Sequence, residues 1–209
     1  KTFSQFANGV PFYVKVFINN GSLVAWIKTT TGYLNQLTVS VTTGQWYHYA
    51  VSFENNSAIK LYLDGSEVQS HSIGNVTLYS SGGNLTFGMS NNEDGNPFSG
   101  LIDEVVIWDE ALTSSEITAL YNSGVPLAAS SNSGDYTSSA NVQGYWRFGE
   151  NTGTTAYDIS GNGNHGTING ASSSTNVPYA GPVYYVATSG SDDGTGSSSL
   201  PFATIQKGI

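Results

Sequence analysis

The sequence predicts an all-β protein, an antiparallel β-sandwich of the jelly-roll kind with one short helix. Three observations lead there: apolar and polar residues alternate with period two in several short runs, turn residues separate those runs at close intervals, and one stretch alone carries clear helix signals. Many short strands joined by tight turns favour a sandwich over alternating βαβ units.

The strands follow in order. Pro11 to Ile18 alternates, Asn19-Asn20-Gly21 turns the chain, and Ser22 to Thr29 runs back, a hairpin by both period and turn chemistry. Leu34 to Val41 is next. Gln45 to Phe53 places Trp46, His48, Ala50 and Ser52 on one face and Tyr47, Tyr49, Val51 and Phe53 on the other. Ala58 to Leu63 leads into Asp64-Gly65, a strong hairpin signal, and the chain returns from Glu67. Leu85 to Met89 reads as a further strand, followed by the polar loop Asn91 to Asn96.

The stretch from Phe98 to Ile117 organises what surrounds it. Ile102, Val105 and Ile107 predict a buried strand with Asp103 at its mouth, and Thr113 and Glu116 have the spacing of a capping box opening a short helix with Ile117 and Leu120 on its apolar side. Residues 122–141, rich in Ser, Asn and Gly, predict an extended surface connection. Order resumes at Val142 with an aromatic strand carrying Tyr145, Trp146 and Phe148, and residues 151–170 are turn-rich. Gly181-Pro182 punctuates the chain before a new strand at Val183 to Thr188.

Composition narrows the class of function. Charged residues make up 10% of the 209 and hydrophobic ones 38%, so a sizeable core sits under a surface of neutral polar groups, as in secreted all-β proteins. There is no cysteine, which leaves core packing or a bound metal to hold the fold. A net charge of -9 with six Lys and Arg argues against nucleic acid or an anionic membrane as partner. No apolar run approaches the roughly 18 residues that a membrane-spanning helix needs. The chain is expected to be a piece of a longer protein, because it opens inside a strand-like run at Thr2 to Phe6 and stops inside a new pattern.

Three motifs carry a family resemblance: GQWYHYAVSFENNSAIKLYLDG, LTFGMSNNEDGNPFSGLIDEVVIWDEALTSSEITALYNSG and GYWRFGENTGTTAYDISGNGNHGTING, which together cover most of residues 44–170. The chain resembles the laminin-G-like, pentraxin-like branch of the concanavalin A-like lectin/glucanase sandwiches. In such modules the YWRF and SGNGNHG segment normally opens the domain, whereas here it follows FSGLIDEV. Either residues 142–170 begin a second copy, or they fold back to complete the sandwich. The second reading is favoured, because no second tryptophan or FSG motif follows and a lone aromatic strand has no other core to enter. The module is thus expected over residues 1–178, and residues 179–209, with YYVATSGSDDGTG and PFATIQ, resemble the truncated opening of a pectate-lyase-like parallel β-helix.

The resemblance implies a structural calcium held by Asp103, Asp158, Asn162 and Asn164. Calcium takes six to eight hard oxygens, and a Gly-rich turn lets carbonyls converge; the alternative is that these residues cap loops and make Asx turns. Glycan binding would need exposed aromatic faces beside hydrogen-bonding groups. Trp26, Tyr33 and Tyr79 are the aromatic candidates, with Asn92 and Asp94 in the polar loop; Trp46, Trp108 and Trp146 are expected in the core. His48, His71 and His165 lack metal spacing. Catalysis is not expected, since a glycosidase needs two carboxylates flanking the scissile bond, and the adjacent Asp103 and Glu104 would point to opposite faces of a strand. The function implied is a non-catalytic carbohydrate-binding or adhesion module of a secreted or cell-surface protein, with a glycan and possible cell-surface proteins as partners and no insertion into a membrane. The other readings are a structural spacer that meets protein partners, and an accessory part of a polysaccharide-degrading β-helix enzyme.

Overall fold

The computed structural model describes residues 14–34, 36–79, 84–89, 97–150 and 152–178. All of them lie in the first of two compact units, Lys1–Pro178; the second, Tyr179–Ile209, and with it the β-helix resemblance, lies outside the described residues. The described strands pair antiparallel and are accompanied by one short α-helix.

The first hairpin joins β1 (Val14–Asn19) to β2 (Ser22–Thr29), with Asn19 opposite Ser22. Its two loop residues, Asn20 and Gly21, have φ of 48° and 75°, the double left-handed conformation that matches the twist of the flanking strands. Beside β2 lie β3 (Gly32–Tyr33) and β4 (Leu37–Ser40). A second sheet runs β5 (Tyr49–Glu54), β6 (Ala58–Leu63) and β7 (Ser66–Ser72), and Asp64-Gly65 makes its tight turn. The predicted strand beginning at Gln45 starts only at Tyr49. Leu85 to Met89 is not a strand: Met89 makes one isolated bridge, to Pro97.

Alternation assigns the faces of these strands. Leu23, Ala25, Ile27 and Leu37 of the first sheet pack against Tyr49, Val51, Phe53, Ile59 and Leu61 of the second, which forms one buried layer. The other face of the second sheet presents Ala50 and Tyr62 to a further layer built with α1 (Ser114–Tyr121) and β8 (Val105–Trp108).

The strand β8 is buried at all four residues and pairs antiparallel with β9 (Val142–Trp146), Val105 standing opposite Trp146. One side of this pair, with Val106, Trp108, Val142 and Tyr145, faces α1; the other, with Val105, Ile107 and Trp146, covers Ala156, Phe87 and Ile168. Residues 142–170 therefore contribute a strand to the same body, and Thr155–Ala156 (β10) pairs with Gly166–Thr167 (β11) beside it. Gly144 is required by close approach: a Cβ there would meet Trp146 Cζ3 at 2.7 Å, with Cη2 closer still.

The predicted strand from Ile102 begins instead at Val105, because Glu104 is left-handed at φ 54°, a conformation that costs a residue with a Cβ. Tyr145 Oη donates a hydrogen bond to Glu104 and Arg147 Nε donates another at 2.9 Å, so the kinked residue is held by two partners on β9 and just beyond it. Asp103 and Glu104 thus do not alternate across a strand. The connection at 122–141 is also not merely superficial. Ala129 and Tyr136 are buried, Trp108 Nε1 donates to Tyr136 Oη at 2.9 Å, and that hydroxyl donates to the Ala129 carbonyl at 2.9 Å.

Candidate functional site

Two places carry the residues singled out by sequence. The first is the outer face of the β1–β2–β3 sheet. Because Ala25 and Ile27 turn into the core, Trp26 and Lys28 turn away from it. The register then sets Lys15 directly opposite Trp26, and Lys28 directly opposite Tyr33. Tyr79 reaches the same spot from a distant part of the chain: Thr30 N donates to Thr77 O at 2.9 Å, Tyr79 N donates to Lys28 O at 3.0 Å, and Thr29 bridges to Leu78.

The result is an aromatic platform with ammonium groups set into it. Trp26 lies 5.6 Å from Tyr33 and 4.8 Å from Phe17, ring centroid to centroid. Lys28 Nζ stands 4.1 Å from the Tyr79 ring centroid and 5.7 Å from that of Tyr33, while Lys15 Nζ is 5.4 Å from the Phe17 ring. Such cation–ring contacts hold both partners in place. Tyr33 is 55% exposed and Tyr79 38%, so apolar ring surface meets solvent beside positive charge. Trp26, Tyr33 and Tyr79 come together; Asn92 and Asp94 lie outside the described residues.

The second place is the turn at residues 158–165. Asp158 is 5% exposed, and its carboxylate accepts backbone N–H groups from Tyr145, Ser160 and Asn164, each at 2.9 Å. Burial alone would raise its pKa, but these bonds outweigh it and hold the carboxyl below its ordinary value. Asn162 Nδ2 donates to the carbonyls of Val142 and Gln143 at 3.1 and 3.2 Å, Asn164 Nδ2 donates to Gln143 O at 2.9 Å, and Trp146 Nε1 donates to Asn164 O at 3.0 Å.

Asp158, Asn162 and Asn164 therefore share one turn, and the turn is stapled to β9. Its polar atoms converge as donors on Gln143 O and as acceptors of N–H groups, whereas calcium demands several oxygens facing one centre. Here N–H groups engage both carboxylate oxygens of Asp158, and the Nδ2 atoms of Asn162 and Asn164 are taken up by backbone carbonyls of β9. Among the described residues no group of three or more His, Asp or Glu side chains is placed to hold a metal. The Asx-turn alternative accounts for Asp158 and its neighbours. Asp103 stands half-buried ahead of β8, where its charge acts on Arg147.

Sequence reasoning missed a cavity of about 120 Å³ lined by Trp46, Tyr47, His48, Asp64 and Tyr121. Trp46, expected in the core, is half-buried at its edge and donates through Nε1 to Asn176 Oδ1 at 3.4 Å; Trp108 and Trp146 are buried as expected. The signal for Trp46 was its place before the strand proper, where alternation no longer guarantees burial.

The Laminin_G_3 family model, described as the concanavalin A-like lectin/glucanases superfamily, matches residues 2–118. The chain belongs to that superfamily, whose name covers binding proteins and hydrolases alike. No curated protein matches the chain. Among solved structures, an S-layer domain-containing protein from Clostridium thermocellum ATCC 27405 is 23% identical, covers 56% of this chain and has a TM-score of 0.31, a likeness too slight to bear on fold or function. The chain spans 59% of that structure's chain. Among the described residues no helix is long and apolar enough to cross a membrane.

Proposed function

We propose that this module binds a glycan, without cleaving it, on the outer face of the β1–β2–β3 sheet, as part of a larger secreted or cell-surface protein. The observation that carries the reading is the gathering of Trp26, Tyr33 and Tyr79 around Lys28. A pyranose ring offers an apolar face and a rim of hydroxyls, which suits ring stacking beside hydrogen-bond donors. The resemblance of residues 179–209 to a linker and β-helix opening suits an accessory module that delivers a polysaccharide-active partner to its substrate.

Affinity electrophoresis of the chain through polysaccharide-containing gels tests it. At least one polymer should retard the protein, and Trp26→Ala and Tyr33→Ala should each weaken that retention about tenfold, a loss of about 1.4 kcal/mol. Retention unchanged in both variants, or absent on every polymer, overturns the reading. We further propose that binding is independent of calcium, because hydrogen bonds already close the Asp158 turn. EDTA and added Ca²⁺ should leave both the melting temperature and the retention unchanged. A melting temperature that rises with Ca²⁺ and loses the rise in Asp103→Ala would restore the metal.

A further inference from the structure

The cavity beside Trp46 shares no lining residue with the aromatic platform, and three parts of the chain build it. The approach to β5 brings Trp46, Tyr47 and His48, the turn between β6 and β7 brings Asp64, and the end of α1 brings Tyr121. Hydrogen bonds hold the first two parts together: His48 N donates to Asp64 Oδ1 at 2.8 Å, and Asp64 N donates to His48 O at 2.7 Å. Tyr121 is seated over the same turn because Gly65 has no side chain; a Cβ there would meet the Tyr121 ring at 2.8 Å. The Tyr121 ring in turn lies 5.6 Å from that of His48.

The polar ends of the two leading wall residues are engaged. Trp46 Nε1 donates to Asn176 Oδ1 at 3.4 Å, and Tyr47 Oη donates to Gln45 Oε1 at 3.1 Å while accepting from Thr42 N at 3.0 Å. What they leave to the cavity is ring surface, to which Pro126 and Pro178 add carbon. Asp64 supplies an acceptor, since its second carboxylate oxygen takes no hydrogen bond from the described residues. Among those residues no Lys or Arg lines the cavity. The helix α1 also ends there without a basic residue in its last turn, so its carbonyl end adds partial negative charge.

We propose that this cavity, of about 120 Å³, binds a quaternary ammonium group, its methyls against Trp46 and Tyr121 and its charge towards Asp64. The site stands independently of the glycan reading. Aromatic faces attract a cation through their quadrupole, that of tryptophan most of all. A bare ammonium would lose water that one carboxylate oxygen does not replace, whereas methyl groups need no hydrogen bonds and gain from burial. A sugar needs donors as well as acceptors around its rim, and the Trp46 and Tyr47 donors are already used.

Calorimetric titration of the full chain with tetramethylammonium tests the site, with tert-butanol as the neutral isostere and methylammonium and glucose for comparison. Tetramethylammonium should bind saturably, about tenfold more tightly than tert-butanol or methylammonium. Asp64→Asn, which keeps an acceptor for His48 N, should weaken it about tenfold. Tyr121→Leu, which keeps bulk and removes the ring, should do the same, whereas Tyr121→Phe and Trp26→Ala should change nothing. A trimethyllysine peptide that binds more tightly than the free ion identifies a modified side chain as the source, and one that binds more weakly identifies a small free cation. Equal affinity for tert-butanol, or binding indifferent to both Asp64→Asn and Tyr121→Leu, overturns the inference. Saturable glucose binding that Tyr121→Leu abolishes, with none of tetramethylammonium, overturns it in favour of a sugar site. Absence of saturable binding by any of the cations overturns it outright.

Discussion

Asp158 and Glu116 do the same work at two separate turns of the chain. Glu116, 6% exposed, accepts from Thr113 N and Oγ1 at 3.0 and 2.9 Å through one oxygen, and from Thr137 N, Thr137 Oγ1 and Ser138 Oγ at 3.3, 3.2 and 2.5 Å through the other. Burial pushes against ionisation, yet the bonds prevail and hold the pKa of Glu116, like that of Asp158, below its ordinary value. A carboxyl depressed in the folded state adds stability above its ordinary value and loses it as pH falls through the folded one. From their ordinary values of 4.5 and 3.8, stability should fall steadily as pH drops from about 5 towards 2. Urea midpoints measured across that range check this; Asp158→Asn should flatten the fall, and an unchanged slope would show that its carboxylate is not the titrating support. At neutral pH, Asp158→Ala should cost about 1–3 kcal/mol, since it strands the buried N–H of Tyr145.

Among the elements, α1 was legible because its signals are local: Thr113 caps it, Glu116 completes the capping box, and Ile117 and Leu120 are its buried side, all within eight residues. The hairpins at Asn20-Gly21 and Asp64-Gly65 were legible for the same reason. What the sequence hid depends on distant partners. Nothing near Glu104 announces a left-handed residue; its partners Tyr145 and Arg147 arrive some forty positions later. Likewise, the second oxygen of Glu116 clamps a connection that looked unanchored, and Tyr136 is fully buried there because it completes the hydrogen bonding of Trp108. At the candidate site, Trp26, Tyr33 and Tyr79 were nameable as aromatics outside the core motifs, but not as neighbours. The pairing of β8 with β9 gives the sharpest element-scale prediction. Gly144→Ala would drive a methyl into the Trp146 ring, and thermal melts should show a loss of about 2–3 kcal/mol. A neutral result would mean that the Trp146 ring can swing aside.

At the scale of the molecule, the family match ends at residue 118, but the buried layers do not. Val106 and Trp108 are covered by Val142, Tyr145 and Tyr136, and Val105 and Ile107 pack with Trp146 and Ala156, all from beyond that limit. A fragment ending at Tyr121 should therefore expose an apolar strand face and an unpaired edge, bind a hydrophobic dye and self-associate in sedimentation. A monomeric, dye-silent fragment would show that the later segment is dispensable. Backbone and indole groups, more than covalent continuity, join the two parts: four ladder pairs between β8 and β9, and the Trp108 to Tyr136 bond. Severed within the connection and mixed, the two pieces should find each other and restore one melting transition, so that the molecule behaves as a self-recognising split protein, its later segment a ligand carried on its own leash.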